Sequence, residues 1–355
     1  MNKQLTLQDT LEKLNDEGYS LPDDYESTVS DMVSKEEKSE SPWYVRFFIG
    51  LSAWIAAILF IAFLFIADIL QNEEIGFIVG LVFCAIAVGI NRLGPRNPFL
   101  GQLGLAISLA GQILVLIGLY SILDYGIIPT ALGLIILELV LLWSYNSGLH
   151  RVISTLVILG GILAIFLDLD VLEGAIHFFV FALGAGIVAF HYWENHLVVA
   201  GLENLLRPIN IGIAVFLLGL LILPLSDVFE IHWWVTSLLL SATLIFLMLR
   251  IVKGLGLGLR SGAVPWLLAG CIVLFIPATR MPGILSALIV LLLGFWRNNR
   301  LLIGLASVFL VFYLGALYYS LEWTLLVKSF ALMGTGVIMF LLRYFLLRYS
   351  RGGTA

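Results

Sequence analysis

Charge is scarce in this chain. Only 12% of its 355 residues are Asp, Glu, Lys or Arg, 61% are hydrophobic and the mean hydropathy is +1.04, whereas a soluble domain carries roughly a quarter charged residues. A water-soluble fold is excluded, because so little polar surface cannot cover so large an apolar interior. Cysteine is nearly absent: Cys84 and Cys271 both fall inside apolar runs with no ligand set nearby. That excludes a disulfide framework and a cysteine metal site, and both thiols read as small packing residues. Enzyme signatures are missing too. There is no G-x-x-x-x-G-K-[ST], no H-E-x-x-H and no G-x-S-x-G, and Gly254, Gly256 and Gly258 follow no strand that would make them a dinucleotide fingerprint. His177, His191 and His232 lie near the ends of apolar runs without metal-ligand spacing and are expected at the interface. The chain is read as not an enzyme, with no cofactor, no metal and no nucleic-acid partner.

What is present is a series of long apolar runs. A helix needs about 20 largely apolar residues to cross the hydrocarbon core, and only helices or closed barrels satisfy their backbone there. The runs are continuous and rich in Leu, Ile and Gly rather than alternating, so the expected class is all-α, a polytopic transmembrane helix bundle. Twelve spans are predicted: 47–67, 75–90, 99–120, 127–145, 152–167, 174–192, 209–225, 233–250, 264–278, 283–296, 301–320 and 324–346. The first run follows a polar segment and has no small-residue cleavage site after it, so it is expected to stay as an anchor.

The few charges support this partition. If the spans alternate in direction, every Lys and Arg except Arg280 and Lys328 falls on one side. The opposite loops carry Asp68, Glu73, Glu74, Asp124, Asp168, Asp170, Glu173, Asp227, Glu230 and Glu322. Cytoplasmic loops accumulate Lys and Arg, which predicts a bacterial cytoplasmic (inner) membrane protein with both termini inside. Successive basic turns recur at regular intervals, as repeated two-helix hairpins would, although any bundle with short loops shows a similar period.

Three regions are predicted: an acidic helical tail at 1–42, a transmembrane domain at 43–350 and a short cytoplasmic tail at 351–355. The first region holds 11 acids against 4 bases. Leu7, Leu11 and Leu14 recur at helical spacing before Gly18, and a second helix is expected after Pro22. So short a hairpin has little core of its own. It is expected to pack on the membrane domain, to bind a membrane or cytoplasmic protein partner, or to fray. Beyond the tail the expected partner is the lipid bilayer. Trp43 and Tyr44 suit its interface.

Ionisable groups within spans are costly, so each is a candidate site. Glu138 lies eleven residues into the fourth span, roughly 16 Å along it, and Gln112 on the preceding span is expected at similar depth and within bonding reach. One reading makes this pair a proton or cation site, and the other a hydrogen-bonded lock between helices. Lys328, a turn into the last span, is the third candidate, with snorkelling to the acidic surface as its alternative. The loop acids Asp168, Asp170 and Glu173 are weighed as cation ligands against simple solvation. Gly76 and Gly80 form a G-x-x-x-G inside a span and permit close helix contact. Pro129, Pro224, Pro265, Pro277 and Pro282 sit near span ends, away from the mid-span breaks of many transporters.

The segment Ser41-Pro42-Trp43-Tyr44-Val45-Arg46 with Gly50 and Trp54, the turn Arg297-Asn298-Asn299-Arg300-Leu301, and Leu325-Leu326-Val327-Lys328-Ser329 with Arg343 resemble a bacterial membrane family, domain of unknown function 4401. The resemblance implies a bacterial cytoplasmic-membrane protein with a cytoplasmic helical N-terminal segment, and assigns no residue a role. Two functions follow as expectations: a non-enzymatic membrane component that works by association, or a transporter or channel for a small solute or ion using Glu138. An intramembrane enzyme would need a reactive pair assembled from different helices.

Overall fold

Hydrocarbon offers no water to an unpaired amide, so each apolar run satisfies its backbone within itself. The computed structural model describes residues 73–93, 98–225, 231–254 and 281–320, with isolated positions between 44 and 62 and between 326 and 340. Within these ranges stand α1 (Glu73–Leu93), α2 (Pro98–Ile122), α3 (Ile127–Ser144), α4 (Gly148–Asp168), α5 (Leu172–Val199), α6 (Glu203–Leu220), α7 (Trp234–Gly254), α8 (Gly283–Trp296) and α9 (Arg300–Ser320), and among the described residues there is no strand. Eight segments of 18 to 24 residues are long and apolar enough to cross a membrane; α8, with 14 residues, is shorter. Of the twelve expected spans, 264–278 lies outside the described residues, as do 47–67 and 324–346 apart from isolated positions.

The turns are tight because their residues end helices in a repeated way. At four ends a residue with positive φ follows the last helical pair: Asp124 at 51°, Asp170 at 56°, Gly201 at 70° and Asn298 at 51°. At each, the next N–H reaches back to a carbonyl five residues earlier: Tyr125 to Tyr120, Val171 to Phe166, Leu202 to Leu197 and Asn299 to Gly294, at 2.8 to 3.2 Å. This is the Schellman stop, and Gly, Asn and Asp tolerate its left-handed residue best. Asn299 then opens α9, its Oδ1 accepting the Leu301 and Leu302 N–H groups at 3.1 and 3.4 Å. The long loop implied between the expected spans 174–192 and 209–225 is corrected by the same chemistry. α5 continues to Val199 and α6 begins at Glu203, so only Ala200–Leu202 turn between them.

Helices α5 to α9 share one large apolar core, with Ile176, Leu217, Leu240, Leu285 and Tyr313 fully buried. Between α1 and α2 the contact is made by backbone. A methyl carbon on Gly80 would stand 2.7 Å from the Gly111 carbonyl oxygen, and one on Gly111 equally close to that of Gly80. Gly76, its G-x-x-x-G companion, meets nothing within 4 Å. Close approach therefore uses one glycine from each helix rather than the pair on α1.

Helices α3, α4 and α6 are tied by Arg151, 8% exposed. Pro208 lies inside α6 and has no N–H to give the Asn204 carbonyl four residues earlier. Arg151 on α4 supplies the missing donor, its Nη1 reaching that oxygen at 2.8 Å. Its Nε reaches the Leu142 carbonyl at 3.3 Å, in the last turn of α3 where no helical partner remains. One guanidinium thus serves a helix end and a proline gap on two different helices. Replacing Arg151 with Lys is expected to cost about 1–3 kcal/mol, the range for breaking a charge-assisted bond. In a Pro208→Ala background, where residue 208 again donates to Asn204, the cost should shrink by about half or more. Thermal unfolding of the four proteins in detergent measures this cycle, and equal costs in both backgrounds would refute the link.

Candidate functional site

Two four-residue spacings build a polar centre between apolar helices. On α2, Ser108 and Gln112 stand one turn apart on one face, and on α4 His150 and Ser154 do the same. The four side chains meet. Ser108 Oγ lies 2.8 Å from His150 Nε2, Gln112 Nε2 lies 3.3 Å from the same nitrogen and 3.4 Å from Ser108 Oγ, and Ser154 Oγ lies 3.2 Å from His150 Nδ1. A Gln Nε2 only donates, so His150 Nε2 is the accepting nitrogen and Nδ1–H donates to Ser154. The donor direction therefore runs from α2 through the imidazole to Ser154, whose own proton is left to give.

Glu138 on α3 stands at the end of this chain. It is fully buried, and Ser154 lies close enough to act on its carboxyl, yet neither carboxyl oxygen completes a hydrogen bond of good geometry. Cys84 of α1 is also within electrostatic reach, with its Sγ 3.8 Å from the Ser108 carbonyl. Counting from Ser144, Glu138 is six residues from the end of α3, about 9 Å. The carboxyl thus sits nearer the Arg151 end of the bundle than the acidic end.

Tyr145, just past α3, lids the centre on that side. It is fully buried and its ring stacks on His150 at 4.1 Å between centroids and 17° between planes. A methyl carbon on Gly104 would stand 2.9 Å from its hydroxyl, so the glycine makes room for it. Asn91 accepts the Asn146 N–H at 3.0 Å, fastening the α3–α4 turn to α1.

The expected site is thus partly reassembled. Glu138 and Gln112 belong to one centre but are joined through His150 and Ser154 rather than by a direct bond. Lys328 lies outside the described residues. His150, fully buried at the hub, is not among the residues singled out from the sequence; the signal available was its i,i+4 relation to Ser154, matched by Ser108 and Gln112 on α2. Of the three histidines expected at the interface, two are buried within the protein and one is exposed. His177 is buried against Thr236 with Nδ1 2.7 Å from Oγ1, and His191 is buried with Nδ1 2.9 Å from the Ile187 carbonyl. His232 is exposed beside Glu173, 2.6 Å away.

Among the described residues no cluster of His, Cys, Asp or Glu could hold a metal ion. Asp170, weighed as a cation ligand, instead occupies the left-handed stop of α4. A groove of about 340 Å³ between α2, α3 and α4 is lined by Leu116, Thr130, Leu134 and Gly161 and does not include Glu138. The family model described as "Domain of unknown function (DUF4401)" matches residues 42–349, and the chain belongs to that family. No curated protein and no solved structure matches it.

Removing the imidazole in His150→Ala leaves Ser108, Ser154 and Gln112 without their shared partner and opens a cavity. A loss of about 2–4 kcal/mol is expected, seen as a lower thermal midpoint in detergent. In a cycle with Ser108→Ala the two costs should fall short of adding by about 0.5 kcal/mol or more. Strict additivity would mean that the centre is not one network.

Proposed function

We propose that this chain is a non-enzymatic component of the bacterial inner membrane that works by binding a partner, with both termini cytoplasmic and the acidic tail at 1–42 as the docking segment. The observation that carries this reading is the closure of the Glu138–His150 centre. Its carboxyl is fully buried, Tyr145 lids the imidazole, and the grooves described between helices do not include it. A conduit needs polar side chains converging on a hydrated path, whereas this centre spends its donors and acceptors on holding α2 and α4 together. Membrane helices lack a strong hydrophobic drive to associate, and buried polar contacts supply part of the substitute. The loops between the described helices are short, and the acidic tail is the long polar segment that the sequence offers to another protein. Affinity purification from native membranes in mild detergent is expected to recover a stoichiometric partner with the full chain and to lose it when residues 1–42 are removed. Recovery of the full chain alone, at every detergent tried, would sink the proposal.

One observation favours a second reading, a small-ion or solute transporter using Glu138. A buried polar group with no bonding partner calls for a reason, and here both carboxyl oxygens are open at the end of a directed donor chain. Such a chain is suited to passing a proton. Proton entry into vesicles carrying the purified protein, followed with an entrapped pH-sensitive dye under an imposed pH gradient, separates the readings. The association reading expects wild type and Glu138→Gln to match protein-free vesicles. Entry well above that background, lost in Glu138→Gln, would establish transport in its place.

A further inference from the structure

Basic residues at the Arg151 end of the bundle are of two kinds. Three have protein acceptors: Arg151 binds the Asn204 and Leu142 carbonyls, Arg297 binds the His191 carbonyl and Glu194, and Arg207 pairs with Glu203 at 3.4 Å. Arg250, in the last turns of α7, does not, since among the described residues no carboxylate pairs with it. Its guanidinium is held by rings, 4.4 Å from the centre of Tyr192 and 5.7 Å from that of Phe246. Ring stacking occupies the face of a guanidinium and leaves its edge donors to bind something else.

The same arginine stands at one end of a groove of about 380 Å³ between α5 and α7, a volume typical of small-ligand sites. Ala185, Ala189 and Ala242 keep the slot open where larger side chains would fill it, and Phe181 and Phe246 border it. Its one hydroxyl along that length, Thr243, is turned back on the Leu239 carbonyl at 3.0 Å. The groove is therefore apolar until the Tyr192–Trp193–Arg250 end. From Phe181 to Tyr192 it follows eleven residues of α5, about 16 Å.

We propose that this groove holds one acyl chain of an anionic phospholipid, with the lipid phosphate on the free edge of Arg250. A narrow apolar slot open to the bilayer fits a methylene chain. A planar cation at the level where membrane aromatics settle fits a phosphodiester with two parallel hydrogen bonds. Exposed Lys253, three residues on, adds a second positive charge. An ammonium-bearing zwitterionic headgroup offers no net charge to match. Basic pockets between transmembrane helices bind acidic lipids by this same pairing.

Native mass spectrometry of the full chain in mild detergent, titrated with phosphatidylglycerol or phosphatidylcholine of identical chains, tests this. One phosphatidylglycerol is expected to bind at least about fivefold more tightly than phosphatidylcholine, the factor one cation supplies at an anionic surface. Arg250→Gln should abolish that preference. Arg207→Gln, which removes an exposed cation already paired with Glu203, should keep it. Ala189→Phe should weaken both lipids by filling the slot. If that variant does not fold, phosphatidylglycerol with brominated chains serves instead, and it should quench wild-type tryptophan fluorescence more than that of Trp193→Phe. Equal binding of the two lipids, an unchanged preference in Arg250→Gln, an equal loss in Arg207→Gln, or displacement of the lipid by soluble glycerol phosphate at matching concentration would each overturn the assignment.

Discussion

Every peptide group within the hydrocarbon must find its partner inside the protein, and the architecture follows from meeting that demand at the places where helices cannot meet it themselves. Helix interiors need no help. Ends and proline positions do, and there the sequence spends its few polar side chains. Pro208 strips the Asn204 carbonyl of its donor, and Arg151 replaces it while also reaching the end of α3. Asn298 and Asn299 divide a single turn, one adopting the left-handed stop of α8 and the other capping α9. Arg297 in the same turn ties it to α5 through the His191 carbonyl and Glu194. Three consecutive residues thus serve three separate backbone or charge demands.

The polar centre on α2, α3 and α4 obeys the same constraint through side chains. Once Ser108, Gln112, His150 and Ser154 are placed away from water, each is costly unless the others satisfy it, and this interdependence specifies the helix register. Close backbone contact at Gly80 and Gly111 brings α1 against α2, and with it Cys84 against the Ser108 carbonyl. The Glu138 carboxyl, like the hydroxyl of the Tyr145 lid, completes no good hydrogen bond, and of the two it is the acid. That asymmetry is why two functional readings survive: a lock explains the four hydrogen-bonded side chains, and only a ligand or a proton in transit gives the carboxyl a purpose of its own.

Hydropathy and charge made the membrane class legible, because both follow from bulk solvation and depend little on which helix meets which. Glu138 was legible for the same reason, as an ionisable group in an apolar run. His150 was not, because its position beside Arg151 at a helix start resembles an ordinary basic turn. Only the helix pairing, which composition does not encode, shows that its ring lies inward under Tyr145. Helix ends were misjudged where polar residues continue a helix beyond the apolar stretch, as in His191–Val199. Gly201 was the available sign of the true end. The G-x-x-x-G motif was half right, since spacing along one helix says which glycines share a face but not which of them a neighbour approaches.

Counting basic residues as topology signals also merges groups with different energetics. Arg151 and Arg297 are partly withdrawn from water and engaged with fixed acceptors, so their positions are set by helix geometry as much as by sidedness. Arg207 is exposed and its pair with Glu203 is screened by solvent, so it contributes charge and little else. Arg250 falls between them: rings fix its place while its donors meet no carboxylate among the described residues. A cation positioned by the protein but not neutralised by it leaves an unmet electrostatic demand at the membrane surface, and the anions most concentrated there belong to lipids. The same rule that accounts for Arg151 inside the bundle, that a placed donor implies an acceptor, therefore extends outward at Arg250 into the bilayer.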